Sequence, residues 1–126
     1  MWIYTPVGYV SIVQDTRLSA PTKKMFLVRA RQHDFLKNIL AEAGLRHASE
    51  NILETPPSDY RFRVSITSNQ LAELMVGIGG MIDYPNFKNA CKVRGQYANM
   101  LGRVWEIGVD AFGAFGDAVG GGKYRG

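Results

Sequence analysis

A chain of 126 residues with 46% hydrophobic and 21% charged residues is long enough to bury a core as one domain. The only cysteine, Cys91, has no intrachain partner, so a structural disulfide is excluded and a reducing compartment, the cytoplasm, is expected. Fifteen Lys and Arg against eleven Asp and Glu give a net charge of +4, which favours acidic partners. No segment approaches the ~18 apolar residues of a membrane helix, and no basic stretch followed by an apolar run marks an export signal, so no membrane partner is expected.

In chain order, residues 2–5 and 9–14 are rich in aromatic and β-branched residues, with Pro6, Val7 and Gly8 between them, which predicts an N-terminal hairpin. Residues 15–24 read as a polar connection. The next strand, 25–31, sets Phe26, Val28 and Ala30 on one side and Leu27, Arg29 and Arg31 on the other. Asp34 is placed to cap a helix carrying Phe35, Leu36, Ile39 and Leu40, which Gly44 ends.

Residues 45–57 read as loop with a short edge strand at 52–54. The clearest strand is 60–67, where Tyr60, Phe62, Val64 and Ile66 alternate with Arg61, Arg63, Ser65 and Thr67. Thr67 and Gln70 fit a capping box opening a helix over 68–76, which Gly77, Gly79 and Gly80 close. A short extended piece follows at 81–83. Pro85 then suits the first turn of a long helix whose apolar stripe runs from Phe87 to Trp105. Six of the last fourteen residues are glycine, so 113–126 is expected to be a mobile tail on a single domain of residues 1–112.

The central succession of strand, helix, short strand, strand, helix and short strand predicts an α+β fold, a ferredoxin-like sandwich with an added N-terminal β-hairpin and a long C-terminal helix. In that topology strands 25–31 and 60–67 are adjacent and antiparallel. Arg29, Arg31, Arg61 and Arg63 then gather on the face away from the helices. Like charges on neighbouring strands repel unless anions compensate them, and guanidinium forks suit phosphate, so a phosphate-bearing ligand is the expectation. The structural alternative is that Asp15, Glu54, Asp59 or Asp83 neutralises the cluster, or that the N-terminal hairpin or the last helix covers this face and the arginines make structural pairs.

A second candidate set is Tyr84, Asn86 and Lys88 at the start of the long helix, where free backbone N–H groups can receive an anion. The competing reading is a helix cap, with Asp83 or Asn86 capping and Phe87 in the core. The glycines of 77–80 lack the preceding strand and the Gly-Lys-Ser or Gly-Lys-Thr sequence of a phosphate loop. His33 and His47 with one distant cysteine form no metal set, and no cofactor is expected. Trp2, Trp105 and most tyrosines read as packing residues, and Tyr4, Tyr9 or Tyr84 would stack on a base if exposed beside the arginines.

The chain resembles small bacterial and phage proteins that open with W-x-Y-T-P-x-G, here Trp2, Tyr4, Thr5, Pro6 and Gly8, and later carry D-Y-x-N-F-K, here Asp83, Tyr84, Asn86, Phe87 and Lys88. The V-R-A-R of 28–31 and the D-Y-R-F-R of 59–63 share in the resemblance, which extends to about Trp105. It implies the same fold and a setting in host and phage conflict, where such proteins bind a nucleotide messenger or block an effector. It assigns no catalytic residue.

The leading expectation is therefore a non-enzymatic protein that binds a nucleotide or nucleic acid, in its most concrete form a counter-defence protein that sequesters a nucleotide signal. One alternative is an interaction module or inhibitor whose arginines meet an acidic protein. The other is a small phosphodiester-cleaving enzyme with His33 as general base. Homo-oligomerisation is left open.

Overall fold

The computed structural model describes residues 1–17, 24–91 and 95–113, and the backbone of 118–119 and 123–124. The chain divides into two compact units, Met1–Lys92 and Val93–Gly126. In the first, β1 (Trp2–Thr5), β2 (Gly8–Asp15), β3 (Met25–Ala30), β4 (Leu53–Glu54) and β5 (Phe62–Thr67) form one antiparallel sheet in the order β1-β2-β3-β5-β4. Helices α1 (His33–Glu42) and α2 (Ser68–Gly80) supply the helical layer, with a 3₁₀ turn at Arg46–Asn51 and a short helix α3 (Phe87–Ala90). The fold class is α+β, as expected.

Alternation along the strands decides which face is covered. Val10 and Ile12 of β2, Val28 and Ala30 of β3, and Val64 and Ile66 of β5 join Leu36, Ile39 and Leu40 of α1 and Leu74 of α2 in one core. The three α1 residues are fully buried. Each contributes about 1.5–3 kcal/mol relative to exposure.

Two glycines serve close approaches. Gly8 has φ +139°, and a Cβ there would lie 2.5 Å from the Phe35 ring, so the hairpin turn and the α1 packing both require glycine. Thr5 Oγ1 braces the same turn, donating to the Gly8 carbonyl at 2.8 Å and accepting from Val7 N–H at 3.2 Å. At Gly77 a Cβ would fall 2.4 Å from Ala43 Cα. The expected capping box is present, Gln70 N–H on Thr67 Oγ1 at 3.1 Å and Thr67 N–H on Gln70 Oε1 at 2.9 Å, but α2 runs through Gly77, Gly79 and Gly80 instead of ending before them. Gly77 is spent on helix-to-helix packing and not on termination.

Three further expectations are corrected by geometry. The N-terminal hairpin is no appendage, because β2 pairs with β3 from Ser11↔Arg29 to Asp15↔Met25. It holds the sheet position that a strand after α2 occupies in a ferredoxin-like order, and residues 81–83 make no strand among the described residues. The helix expected from Pro85 onward is interrupted: α3 ends at Ala90, Cys91 is extended (ψ 122°), and Gly95 at φ +79° precedes α4 (Gln96–Phe112). Left-handed backbone at Gly95 cannot continue a right-handed helix.

The second unit holds α4 and a strand pair, β6 (Ala118–Val119) with β7 (Lys123–Tyr124). The remaining glycine-rich tail expected to be mobile lies outside the described residues. Among the described residues no helix is long and apolar enough to cross a membrane.

Candidate functional site: an arginine pair on the second sheet face

The residues that alternate away from the core give the sheet its second face, and its centre is basic. Arg29 of β3 and Arg63 of β5 are directly opposite each other in the antiparallel register. Continuing across the strands, the row reads Trp2, Ser11, Arg29, Arg63 and Leu53. Its ends are exposed, Trp2 at 68% and Leu53 at 57%, whereas Ser11 is buried.

The four predicted arginines fall into two classes. Arg31 donates through Nη1 to Asp59 Oδ1 at 2.8 Å and to the Asp59 carbonyl at 3.0 Å, and through Nε to the Tyr9 hydroxyl at 2.8 Å. The hydrogen bond to Asp59 raises its pKa further above the ordinary arginine value. Arg61 Nε donates to Glu54 Oε2 at 2.8 Å. For these two the structural alternative describes what is seen.

Arg29 and Arg63 have no carboxylate partner among the described residues. Arg29 Nη2 donates to Ser11 Oγ at 2.8 Å, and Arg63 Nη2 donates to Ser58 Oγ and to the Tyr60 carbonyl, the latter at 2.9 Å. Both Nε atoms are buried without a hydrogen-bond partner. A buried unsatisfied donor costs about 1–3 kcal/mol, and like charges opposite each other on paired strands are unfavourable. Natural structures hold few such groups, and each calls for a reason.

Tyr60 is the residue that sequence alternation misplaces. With Phe62, Val64 and Ile66 it was expected on the core face, but β5 begins only at Phe62, and the bend at 58–60 carries the ring beneath the arginines. The guanidinium carbons of Arg29 and Arg31 lie 4.6 and 4.7 Å from its centroid. The electron-rich face offsets part of the cationic repulsion. Tyr4 stacks on Tyr9 at 5.2 Å and 24°, and burial raises the Tyr4 pKa, assisted by the neighbouring Tyr9 and Tyr60.

Carboxylates bound the basic patch. On one side stand Asp59 and Glu54, already engaged by Arg31 and Arg61. On the other, Asp15 accepts from Arg17 Nη2 at 2.6 Å and Nε at 2.8 Å and from the Ser65 hydroxyl at 3.0 Å. The Arg17 hydrogen bonds hold the Asp15 carboxyl at about 2, against the opposing effect of burial. Of the four predicted arginines, Arg29 and Arg63 are thus the two without a carboxylate partner among the described residues.

The remaining candidates have local partners. Asn86 caps α3 by accepting from Asn89 N–H at 3.0 Å, and Tyr84 packs on Phe87 at 5.9 Å. Lys88 lies within α3, whose four residues supply little helix dipole for an anion. His33 meets Phe62 edge-on at 5.5 Å, and Phe62 packs on the core side, so the imidazole does not share the face of the Arg29 and Arg63 pair. No group of three or more His, Cys, Asp or Glu that could hold a metal occurs among the described residues. A mostly apolar groove of about 230 Å³, lined by Met1, Ile12, Phe26, Leu71 and Met75 among others, draws most of its walls from core-side residues. It does not include the arginines.

No protein-family model matches the chain, and neither the curated proteins nor the solved structures contain a match to it. The functional reading therefore stands on the site.

Proposed function

We propose that this protein is a non-enzymatic binder of a phosphate-bearing ligand, and that the phosphate sits between Arg29 and Arg63. The observation that carries this is the pair itself: two arginines directly opposite in the strand register, each with a buried Nε lacking a hydrogen-bond partner, and neither with a carboxylate partner among the described residues. A phosphate supplies the compensating charge, and a guanidinium suits it because it stays charged when partly desolvated. Arg31 and Arg61 act as a frame, since their charges are already met by Asp59 and Glu54.

The reading extends to a nucleotide ligand, with sequestration of a small nucleotide signal in the cytoplasm as its most concrete form. It treats the fold as ferredoxin-like, with β2 in the place of the strand that would follow α2. Sheet faces of that architecture present ligand-binding side chains in the RNA-recognition domains, an analogy of fold alone.

A second reading draws on exposed Trp2 and Leu53 at the two ends of the row: apolar residues flanking arginines also suit an acidic protein partner. Titration calorimetry with a panel of nucleoside monophosphates separates the two. The first reading expects saturable binding that weakens at least tenfold in Arg63→Gln and falls with added salt. A protein that binds none of the panel, or whose folded Arg63→Gln variant binds as tightly as the parent, hands the site to the acidic partner.

A further inference from the structure

The outer edge of β1 is a second interaction surface, independent of the arginine pair. β1 ends the sheet order and pairs with β2 alone among the described residues, in the register Trp2↔Ser11 to Thr5↔Gly8. Met1 and Ile12 exchange both backbone hydrogen bonds, at 2.9 and 2.8 Å, and so form a hydrogen-bonded pair. Such pairs alternate along an antiparallel ladder, so Ile3 and Thr5 also turn their N–H and C=O groups toward β2, whereas Trp2 and Tyr4 turn theirs outward. A row of outward edge groups is a template for another strand unless charge, proline or shortness blunts it. The opposite edge has all three: β4 is two residues long, its Glu54 is paired with Arg61, and Pro56 and Pro57 follow. On β1 none applies. Residues 1–14 contain no Asp, Glu, Lys or Arg, and Pro6 lies in the turn outside the strand.

We propose that β1 pairs antiparallel with β1 of a second copy, across a twofold axis at Ile3, joining the two five-stranded sheets into one. In this register Trp2 opposes the partner's Tyr4 and Tyr4 opposes the partner's Trp2, so every outward N–H and C=O of both residues is used. Sliding one copy by two residues would pair only Trp2 with Trp2 or only Tyr4 with Tyr4. The same register also suits the side chains. Trp2 and Tyr4 alternate onto the face away from the core, which sets two cross-strand aromatic pairs there and covers an indole now 68% exposed. Tyr4 is already held by its stack on Tyr9 at 5.2 Å. Ile3, which packs against the core, meets the partner's Ile3 on the other face. A second copy fits better than a foreign strand, because the register that satisfies the backbone is the one that pairs these rings, and the edge offers no charge with which to select a different partner. Four-residue strands bury little area, so the dimer is weak, with a dissociation constant of about 10–100 µM.

Sedimentation velocity on the whole chain over a concentration series tests this. The parent should move from its 14.0 kDa monomer toward twice that mass as concentration rises through that range, and added salt should not reverse the change, since no ion pair takes part. Trp2→Pro removes an outward N–H and the indole but no β1–β2 hydrogen bond, and should raise the dissociation constant at least tenfold. Trp2→Thr keeps the outward backbone groups and a strand-forming residue, and should weaken the dimer less. Oxidative crosslinking reads the register: with the buried Cys91 changed to Ala, Ile3→Cys should form a disulfide across the axis, where Cα atoms of a non-hydrogen-bonded pair stand about 4.5 Å apart, and Leu53→Cys on the opposite edge should not. A parent still monomeric well above that range overturns the proposal. So does a dimer that Trp2→Pro leaves intact, which would place the contact on another surface. A monomeric parent that binds an alternating threonine–valine hexapeptide, and loses it in Trp2→Pro, gives the edge to a foreign strand and equally overturns the dimer.

Discussion

Replacing Arg63 and Arg31 separately by Gln should have unequal effects on stability, and the inequality follows from what each guanidinium touches. Arg31→Gln removes the ion pair with Asp59, the donor to the Tyr9 hydroxyl and the contact with the Tyr60 ring. The half-exposed ion pair is worth about 0.2–1 kcal/mol, the hydrogen bond about 1 and the cation–π contact about 0.5–1, for a loss of roughly 2 kcal/mol. Arg63→Gln also removes hydrogen bonds, to Ser58 and the Tyr60 carbonyl, at about 1 kcal/mol each. It simultaneously relieves a buried Nε without a partner, about 1–3 kcal/mol. The net change should lie within about 1 kcal/mol of zero. At roughly 4 °C per kcal/mol, thermal melts without ligand should place Arg31→Gln about 8 °C below the parent and Arg63→Gln within about 4 °C of it. A fall for Arg63→Gln as large as that for Arg31→Gln would show that Arg63 is a structural member of the network, and the reasoning that reserves it for a ligand would fail.

Asp15 predicts an acid-side loss of stability. Its carboxyl titrates at about 2 in the folded chain against about 3.9 unfolded, so its contribution is fully present above pH ~4 and disappears as pH falls toward 2. Because Arg17 is half-exposed, that contribution should be on the order of 1 kcal/mol, and Asp15→Asn should flatten the stability profile between pH 4 and 2 in urea titrations; an unchanged profile counts against the Arg17 pairing. Gly8→Ala should destabilise by about 2–3 kcal/mol, since its Cβ meets Phe35 at 2.5 Å and φ is +139°. Gly79→Ala in α2, where a Cβ meets nothing within 4 Å, should stabilise by about 0.5–1 kcal/mol, and equal effects at both positions would contradict the packing described for the hairpin.

Local patterns in the chain determined much of the first unit. Period-two alternation in 25–31 and most of 60–67 assigned the core residues Val28, Ala30, Val64 and Ile66 and set Arg29 and Arg63 on the opposite side, because side-chain direction in a strand follows from backbone geometry alone. The capping box at Thr67 and Gln70 and the α1 stripe of Leu36, Ile39 and Leu40 were legible for the same reason. Cross-strand neighbours carry no such local signature. Only the assembled sheet decided that β2 lies beside β3, that Arg29 faces Arg63, and that Trp2 and Ser11 complete their row. Charge compensation was likewise tertiary: Asp59 and Glu54 were both available in the sequence, but strand register and the bend at 58–60 gave one to Arg31 and the other to Arg61, leaving the central pair without either. The same bend took Tyr60 out of the alternation and placed it under two guanidinium groups, since a residue two positions outside a strand is no longer bound by the pleat.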